Sequence, residues 1–383
     1  MAQHSFLQNL LQGQAVEWKT LGEVLVRTKG TKITAGKMKE LHKNNAPIKI
    51  FAGGKTFALV DFDDIPQKDI NHKPSIIVKS RGIIEFEYYD KPFSHKNEMW
   101  AYHSQNPNIN IKFIYYFLKQ NEPYFQKIGS KMQMPQIATP DTDKFKIPIP
   151  PLSVQSQIVQ ILDTFTELND QLRDELTAEL SMRQKQYQYY RDFLLSEHEL
   201  AKVGFEWKTL GEVGDILDNL RKPIKASLRL AGSNPYYGAN NIQDYVDGFT
   251  HDGEYVLIAE DGSSSLENYS IQWATGKFWA NNHVHVVSAK ECLNNRFLFH
   301  FLKSMNFIPY LTGGTRAKLT KAKMIEIPIP IPPLSVQSQI VQILDTFDSL
   351  TNSISDGLPK EIKLRQKQYE YYREQLLNFT ATI

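Results

Sequence analysis

The stretch PPLSVQSQIVQILDTF runs from Pro150 to Phe165 and returns, letter for letter, from Pro332 to Phe347. Paired prolines cannot continue a helix or a central strand, so each copy marks the boundary between two elements. The residues after the prolines place apolar side chains at three- and four-residue steps, which is typical of an amphipathic helix. The repeat therefore predicts two equivalent helices, with Ser153 as the candidate N-cap of the first.

Two further repeats extend this pattern in both directions. EWKTLGEV occurs at Glu17–Val24 and at Glu206–Val213, and RQKQYQYYRDFLL at Arg183–Leu195 returns as RQKQYEYYREQLL at Arg365–Leu377. The chain therefore consists of a block, a helix, a second block and a second helix. The expected divisions are an N-terminal extension over 1–16, blocks over 17–149 and 201–331, and helical regions over 150–200 and 332–383.

The two blocks differ in most of their residues but share a skeleton. VKSRG at 78–82 lies opposite AEDG at 259–262, and KPFSHKN at 91–97 lies opposite GKFWANN at 276–282. Short β-like runs such as SIIVKS and HVHVVSA precede helix-like runs such as IKFIYYFLKQ, which predicts a mixed α/β fold for each block. One scaffold with two different surfaces indicates two related tasks that differ in specificity.

The helical regions need a partner for their apolar stripe. A helix from Leu152 to Leu195 extends about 66 Å at 1.5 Å per residue. Its second copy supplies the matching stripe, which predicts an intramolecular coiled coil. An antiparallel pair places the two blocks at opposite ends, related by a pseudo-twofold axis. Gly357 and Pro359 interrupt the second copy, and Pro359 suits the first turn of a restarted helix.

The tyrosines near the end of each helical region have two interpretations. The favoured one is packing along the seam between the helices, because apolar stripes usually serve packing. The alternative is that they dock another protein. The four residues are Tyr187, Tyr190, Tyr369 and Tyr372.

The composition excludes several classes of protein. Among 383 residues, 41% are hydrophobic and the only cysteine is Cys292, which excludes a disulfide framework and a cysteine-based zinc site within one chain. No run approaches eighteen apolar residues, and the N-terminus MAQHSFLQNLLQGQ lacks the pattern of a secretory signal. We therefore expect a cytoplasmic protein without a membrane partner. The net charge of +2 does not by itself indicate a nucleic-acid binder.

Motifs that resemble catalytic signatures are incomplete. FAGGKT at 51–56 lacks the first glycine of a phosphate-binding loop, since that position holds Lys49. SNPYYG at 233–238 lacks the second proline of an amino-methyltransferase signature, and the carboxylates of PDTDK at 140–144 are too close together for a spaced metal site. His283 and His285 lack a visible third ligand, which favours a structural or DNA-contact role over metal binding. We predict no catalytic residue and no metal site.

Loops rich in basic and amide side chains occur in both blocks. Lys and Arg beside Gly, Ser and Thr suit phosphate contacts, and Asn or His suits the reading of base edges. For any single loop the alternative is an ordinary polar surface, but basic loops in both blocks favour DNA. The DNA-binding candidates are Lys29, Lys32, Lys79, Ser80, Arg81, Ser94, His95, Lys96, Asn97, Lys131, Asn240, Asn241, Ser263, Ser264, Asn281, Asn282, Thr315, Arg316 and Lys318.

Over nearly its whole length the chain resembles the specificity subunit of type I restriction-modification enzymes. The resemblance rests on EWKTLGEV before each block, IPIPPLSVQSQIVQILDTF or its counterpart after each block, and the RQKQY segments that end each helix. YYGANNIQDYVDGF, GEYVLIAEDGS and SIIVKSRGIIEFEYYDKPFSHKNEMW are similar to segments of that family's target recognition domains.

The resemblance implies a division of labour. Each block would be a target recognition domain that reads one half of a bipartite site in double-stranded DNA. The helices would set the distance between the half-sites and dock two methyltransferase subunits, and restriction subunits would join the assembly. S-adenosylmethionine, ATP and Mg²⁺ would belong to those partners, so this chain would need no cofactor. The alternatives are an enzyme that itself modifies or cuts DNA, and a scaffold without a DNA role.

Overall fold

The protein divides into two units in a computed structural model that describes residues 6–130, 134–313, 317–352 and 357–379. The first unit comprises Met1–Asp174 together with Lys363–Ile383, and the second comprises Glu175–Ile362. Each unit therefore contains one sequence block and parts of both helical regions. Among the described residues, no helix is long and apolar enough to cross a membrane.

Short strands and helices alternate in each block, and long helices follow, as the sequence pattern predicts. The first block contains α1 (Phe6–Leu11), β1 (Glu17–Thr20), α2 (Leu21–Val24), β2 (Val26–Arg27), α3 (Ala35–Leu41), β3 (Ile48–Phe51), β4 (Phe57–Val60), β5 (Ser75–Lys79), β6 (Glu85–Tyr89), β7 (Phe93–His95), β8 (Trp100–His103), α4 (Ile111–Gln120), α5 (Glu122–Gly129), α6 (Thr139–Asp143) and β9 (Lys146–Ile149). After these come α7 (Leu152–Leu194), α8 (Glu197–Val203), β10 (Glu206–Thr209), α9 (Leu210–Val213), β11 (Gly214–Ile216), β12 (Ala231–Tyr237), β13 (Ile242–Val246), β14 (His251–Ala259), β15 (Ile271–Ala280), β16 (Val284–Ala289), α10 (Asn295–Ser304), α11 (Lys321–Met324), β17 (Pro328–Ile331), α12 (Leu334–Asn352) and α13 (Leu358–Leu377).

The repeated segments on either side of each block pair with each other. In the first unit β1 is antiparallel to β9, and in the second β10 is antiparallel to β17 in the same register. The Glu23 carboxylate accepts a hydrogen bond from the Thr20 backbone N–H at 2.7 Å, which caps the short helix α2, and Glu212 does the same for Thr209 at 2.6 Å. Each block is thus closed at its base by its own flanking sequences, immediately before a long helix.

The sheets of the two units share a topology but differ at one strand. Besides the two-stranded pairs β1–β9 and β10–β17, the described residues of the first unit form sheets ordered β2-β8-β5-β6 and β4-β3-β7, and those of the second form a sheet ordered β11-β16-β14-β15-β12-β13. The long strand β15 pairs antiparallel with β14 and, at its end, parallel with β12. In the first unit Pro92 separates the corresponding strands β6 and β7, because proline has no N–H to donate to a strand ladder.

The helical regions contribute to both hydrophobic cores. The core of the first unit contains Leu162 from the early part of α7 and Leu377 from the end of α13. The core of the second contains Leu195, just after α7, and Leu344 from α12. In each unit the early part of one helical region therefore lies in the same core as the end of the other, which is the antiparallel order that the sequence predicts.

The start and the interruption of the helical regions follow from proline. Helix α7 begins at Leu152, and the backbone N–H of Val154 donates to the carbonyl of Pro151 at 2.9 Å. The prediction that Ser153 is the N-cap is therefore wrong, because Ser153 already lies inside the first turn. The predicted break in the second copy is confirmed: α12 ends at Asn352, and α13 begins at Leu358 with Pro359 in its first turn.

Candidate nucleic-acid interface

A cleft of about 730 Å³ opens on the surface of the first unit. Three loops border it: the turn between β3 and β4, the loop after β5 and the loop after β7. Its lining includes Met38, Lys39, Ala52, Gly53, Phe57, Ser80, Arg81, Lys96, Glu98 and Met99. A neighbouring hollow of about 470 Å³ shares Ser80 and Glu98 with it and adds Asn97 and Gln136. We call the larger hollow the first cleft.

The second unit carries a hollow of about 750 Å³ that is bordered by the corresponding loops. We call it the second cleft. Its lining is Ala239, Asn240, Asn241, Gln243, Asp261, Gly262, Ser263, Leu266, His283, Ala317 and Lys318.

Backbone hydrogen bonds establish which positions of the two clefts correspond. The N–H of Ile137 donates to the carbonyl of Ser80 at 3.0 Å, and Leu319 donates to Glu260 at 2.8 Å. Two residues after each acceptor stands a glycine with a left-handed backbone, Gly82 with φ 75° and Gly262 with φ 71°. Arg81 therefore corresponds to Asp261, and the predicted match of VKSRG with AEDG is confirmed.

A second pair of backbone bonds aligns the loops after β7 and β15. The N–H of Lys96 donates to the carbonyl of Phe51 at 2.9 Å, and the N–H of Asn281 donates to Tyr237 at 3.3 Å. The predicted match of KPFSHKN with GKFWANN is therefore confirmed. By the same alignment, Glu98 of the first cleft corresponds to His283 of the second cleft.

One arginine side chain of the first cleft, Arg81, has no ion-pair partner among the described residues. Arg81 is exposed and makes no ion pair within 4 Å with any described residue. The Glu98 carboxylate pairs instead with the Lys96 ammonium at 2.5 Å. Burial alone would raise the pKa of Glu98, but the hydrogen bond from Lys96 and the nearby charge of Arg81 lower it below its ordinary value. Glu98 is therefore ionised, and Arg81 is free to meet an anion or a base edge.

The second cleft has its charges paired internally. His283 Nδ1 lies 2.5 Å from Asp261 Oδ1, and Lys318 Nζ lies 2.7 Å from Glu260 Oε1. The other oxygen of Glu260 accepts from Arg221 at 2.7 Å. Burial raises the pKa of Glu260, but the bonds from Lys318 and Arg221 outweigh it and the net shift is downward. These ion pairs hold Asp261, His283 and Lys318 of the cleft lining in position.

Three of the predicted DNA-binding residues lie within the first fold rather than on the cleft surface. The Lys79 ammonium is bonded to Glu85 at 2.8 Å and to Glu87 at 2.9 Å. Ser94 is fully buried, and His95, 1% exposed, bonds through Nε2 to Thr28 Oγ1 at 2.8 Å. These three side chains are held by the fold and support the first cleft, although His95 also lines the neighbouring hollow.

Ser80 is also buried, at 4% exposure, although it lines both hollows, and the other described candidates of the first block are at or near the surface. Ser80, Arg81, Lys96 and Asn97 are brought together by the two hollows. Lys29 and Lys32 are exposed on the segment after β2 and line neither hollow. Lys131 lies outside the described residues, as do Thr315 and Arg316 of the second block.

Several predicted residues of the second block shape its loops. Asn240 bridges two of them, since its Nδ2 donates to Gly262 O and its Oδ1 accepts from the Ser264 N–H, both at 2.8 Å. Ser263 Oγ donates to Ser265 O at 2.7 Å.

Of the three remaining asparagine candidates of the second block, one is buried and two are exposed. Asn281 is buried, and its Oδ1 accepts the His283 N–H at 2.8 Å. Asn241 and Asn282 are exposed, but Asn282 is not part of the cleft lining. Asn241 therefore stays available to a ligand, and Lys318, although bonded to Glu260, is partly exposed.

Sequence reasoning missed Glu98 and Asp261, whereas His283 was already assigned a structural or DNA-contact role. Asp261 stands inside the quoted segment AEDG, and the other two lie one residue beyond the quoted match of KPFSHKN with GKFWANN. Extending that match by one position would have paired Glu98 with His283.

The incomplete catalytic motifs have structural roles. FAGGKT forms the turn between β3 and β4 and is not followed by a helix. Tyr102 donates to Asp143 of the PDTDK segment at 2.5 Å. His285 is buried between the Asp218 carboxylate at 2.6 Å and the carbonyl of Leu319 at 2.8 Å. Within the described ranges no group of three or more His, Cys, Asp or Glu side chains is placed to hold a metal ion.

Three of the four predicted tyrosines contact the other helical region within their unit, whereas Tyr187 contacts α10 of the second block. Tyr187 is 5% exposed, and its hydroxyl lies 3.2 Å from His300 Nδ1. Tyr190 stacks on Phe347 at 5.4 Å.

The corresponding contacts of the first unit are Phe165 with Tyr372 at 5.6 Å and Thr166 with Tyr369 at 2.9 Å between hydroxyls. Packing is therefore confirmed, and docking of a partner stays a prediction. More exposed than these four are Tyr189, at 64%, and Tyr371, at 57%, which sequence reasoning missed.

Comparison with known proteins assigns the family. A model of the type I restriction modification DNA specificity domain matches residues 15–181 and again residues 202–364. The specificity subunit of the Escherichia coli enzyme EcoR124I/EcoR124II is 34% identical over 99% of this chain and 98% of its own. A putative type I specificity subunit of Haemophilus influenzae is 69% identical, but the match covers only 49% of either chain.

Solved structures agree with this at the level of the fold. The S subunit of a type I restriction-modification system from M. genitalium covers 96% of this chain and 97% of its own, with a TM-score of 0.55 at 18% identity. A chain from a study of assembly and conformational transition in a type I system covers 95% and 98%, with a TM-score of 0.63 at 15% identity. The chain belongs to the family of type I restriction-modification specificity subunits.

Proposed function

We propose that this protein is the DNA-recognition subunit of a type I restriction-modification complex, and that each cleft reads one half of a two-part DNA site. The observation that carries this proposal is the pair of clefts. They are built from corresponding loops on corresponding strands, and they present different side chains. A duplicated reading surface with altered chemistry is what recognition of two different half-sites requires, since base contacts specify and backbone contacts position.

The charges around the clefts suit a duplex. Lys39, Arg81 and Lys96 line the first cleft, and the exposed Lys29 and Lys32 follow β2. The lysines among these cations can neutralise phosphates, whereas Arg81, together with Asn241 of the second cleft, can reach base edges. The second cleft retains Lys318 at its rim, with Lys222 and Lys225 exposed on the segment after β11.

The repeated helical regions support docking of the same partner twice. Exposed apolar side chains recur at corresponding positions on α7 and on α12 or α13. The pairs are Leu152 with Leu334, Met182 with Leu364, Tyr189 with Tyr371, and Tyr190 with Tyr372. Exposed apolar and aromatic side chains are typical of protein interfaces. We assign these positions to two methyltransferase subunits, and the two helical regions to setting the distance between the half-sites.

Chemistry belongs to the partners in this proposal. The methyltransferase subunits would hold S-adenosylmethionine and methylate adenine, and restriction subunits would supply ATP hydrolysis, which needs Mg²⁺, and cleavage. This chain needs no cofactor for reading DNA. We place the complex in the cytoplasm, where bacterial DNA is accessible to it.

The deciding experiment is co-expression with the neighbouring methyltransferase gene, followed by mapping of methylated adenines across genomic DNA. A two-part motif with a fixed gap is expected. Replacement of the block 206–331 by that of a relative should change one half of the motif only. A single continuous motif, or none from an assembled complex, would favour a scaffold without a reading role.

The alternative of an enzyme that acts alone has its own test. The purified chain is incubated with labelled S-adenosylmethionine and a mixture of DNA fragments. No methyl transfer is expected until the methyltransferase subunit is added. Transfer by the chain alone would show that it is itself catalytic.

A further inference from the structure

We propose that Arg81 with Glu98 and Asp261 with His283 form the same base-reading position in the two clefts, with its acidic and basic residues exchanged. Arg81 would read a guanine in one half-site, and Asp261 would read a cytosine in the other. This inference rests on the proposed function and adds to it the residues that determine specificity.

The correspondence of these positions comes from backbone geometry. Arg81 and Asp261 each follow the residue whose carbonyl accepts from the segment that ends the block, and each precedes a left-handed glycine. Glu98 and His283 each lie two residues after the N–H that donates to the strand β3 or β12. The loop after β5 thus carries the basic residue Arg81 where the loop after β14 carries the acidic residue Asp261. On the facing loops the order is exchanged, with the acidic Glu98 in the first cleft and the basic His283 in the second.

In the first cleft the arginine is the free member of the pair. Glu98 is held by Lys96 at 2.5 Å, whereas Arg81 makes no ion pair or side-chain hydrogen bond with any described residue. Glu98 is close enough for its charge to interact with that of Arg81. Both residues line the first cleft, so the unpaired guanidinium is accessible to a ligand that enters it. A free guanidinium fork matches the O6 and N7 acceptors of guanine.

In the second cleft the acid is the member that can accept. Oδ1 of Asp261 is bonded to His283 Nδ1 at 2.5 Å, while its side chain remains 41% exposed. Lys318, the nearest lining cation, is bonded to Glu260 instead. The second oxygen of Asp261 can therefore accept a hydrogen bond, and the N4 amino group of cytosine is the base-edge donor that a carboxylate prefers in the major groove.

The test exchanges the pair between clefts. The double variant R81D/E98H places the second pair on the first backbone, and the complex with the methyltransferase subunit is mapped for methylated sites. One base pair of a single half-site should change its preference by roughly tenfold to hundredfold, with the other half-site unaltered. R81A should relax the same base pair, and D261N should relax one base pair in the opposite half. K127A, an exposed charge change on α5 away from the cleft, should change no position.

An unaltered motif in R81D/E98H and R81A would overturn the inference, and so would changes spread over both half-sites. Co-purification with the methyltransferase subunit checks that each variant assembles. If the double variant does not assemble, R81K decides, since lysine keeps the charge but lacks the fork. A relaxed base pair in R81K supports the reading of guanine, and retained discrimination contradicts it. Absence of any two-part motif in the unmodified complex would instead overturn the proposed function.

Discussion

The side-chain oxygen of Gln155 accepts a hydrogen bond from the backbone N–H of Asn110 at 2.8 Å, and Gln337 holds Asn294 in the same way at 2.8 Å. Each glutamine is fully buried near the start of α7 or α12. Each asparagine caps the helix α4 or α10 with its own side chain. The identical repeat thus fastens two divergent blocks to the long helices through a bond to the backbone, which any block sequence can supply.

Removal of this fastening should destabilise its own unit. The Nε2 group of Gln155 also donates to the carbonyls of Pro150 at 2.7 Å and Asn108 at 3.1 Å, so Q155A loses three hydrogen bonds at a buried position. We expect the free energy of unfolding to fall by about 2 kcal/mol, measured by urea denaturation. Q157A, an exposed glutamine on the same helix, is the control and should change it by less than about 0.5 kcal/mol. Equal effects of the two variants would contradict this role.

The left-handed glycines that end the reading loops should resist substitution. A Cβ at Gly82 would meet no atom within 4 Å, so only its φ of 75° opposes alanine. We expect G82A to cost about 1–2 kcal/mol in unfolding free energy and to shift Arg81. G36A is a matched control, because Gly36 lies in α3 with open space around it and alanine favours helix. Thermal unfolding should therefore move in opposite directions for the two variants.

The sequence predicted the architecture well because the relevant signals are local or repeated. Proline boundaries and apolar periodicity placed α7 within one residue of its observed end, and the duplicated segments implied the antiparallel order of the helical regions. The role of Gln155 was not predicted. Within the repeat it looks like any polar residue between stripe positions, and only the packed block shows which carbonyls lie beside it.

The candidate site was predicted less completely, because charge pairing depends on strand register. Lys79 reads as a basic loop residue, yet it lies directly across from Glu85 in the β5–β6 pair. Ser94 and His95 are inaccessible because all three residues of their strand β7 are buried. Arg81, one position beyond Ser80, remains free. The sequence composition identified the loops that border the clefts, but the register of each strand decides which side chains are exposed to solvent.

Acidification should lower the stability of the second unit by protonating His300. Burial lowers the pKa of His300, and its neutral ring accepts from the Tyr187 hydroxyl and donates to Asp345 at 2.7 Å. Because the unfolded histidine binds protons more readily than the folded one, stability is full above the ordinary pKa of about 6.5 and falls as pH drops below it. The protection factors of the α10 amides, which correct for the slower intrinsic exchange at low pH, should therefore fall as the pH drops below about 6.5.

The matched variant is H300Y, since tyrosine occupies the corresponding position 116 and bonds to Asp163 there. It should remove the part of the pH dependence that belongs to α10. The amides of α4 in the first unit serve as an internal reference. Identical pH profiles for α10 before and after the substitution would show that His300 does not carry the effect.

Loss of a phosphate contact should appear in the salt dependence of binding. Arg316 lies outside the described residues, and its assignment rests on the basic segment GGTRAKLTKAK. If its side chain meets a phosphate, R316A should weaken binding to all sequences and reduce the slope of log K against log salt by about 0.9. The measurement is fluorescence anisotropy of the complex with a duplex at several salt concentrations. K127A should leave the slope unaltered, and an unaltered slope in R316A removes this residue from the contact set.

The most exposed tyrosines should decide how many methyltransferase subunits dock. Tyr189 stacks on Phe193 at 6.1 Å and Tyr371 lies 5.5 Å from Tyr372, so each belongs to an aromatic patch at a corresponding position. Truncation of an aromatic anchor typically costs at least about 2 kcal/mol in binding, roughly thirtyfold in affinity. We expect Y189A or Y371A to leave complexes with one methyltransferase subunit, and the double variant to leave none, as counted by mass photometry.

The control is Q184A/Q366A, which changes an exposed pair of glutamines on a different face of the same helices. It should retain both subunits. Retention of both subunits by Y189A/Y371A would show that the repeated aromatic patches are not the docking surface. The identity of the two helical regions would then serve the shared fastening of Gln155 and Gln337 alone.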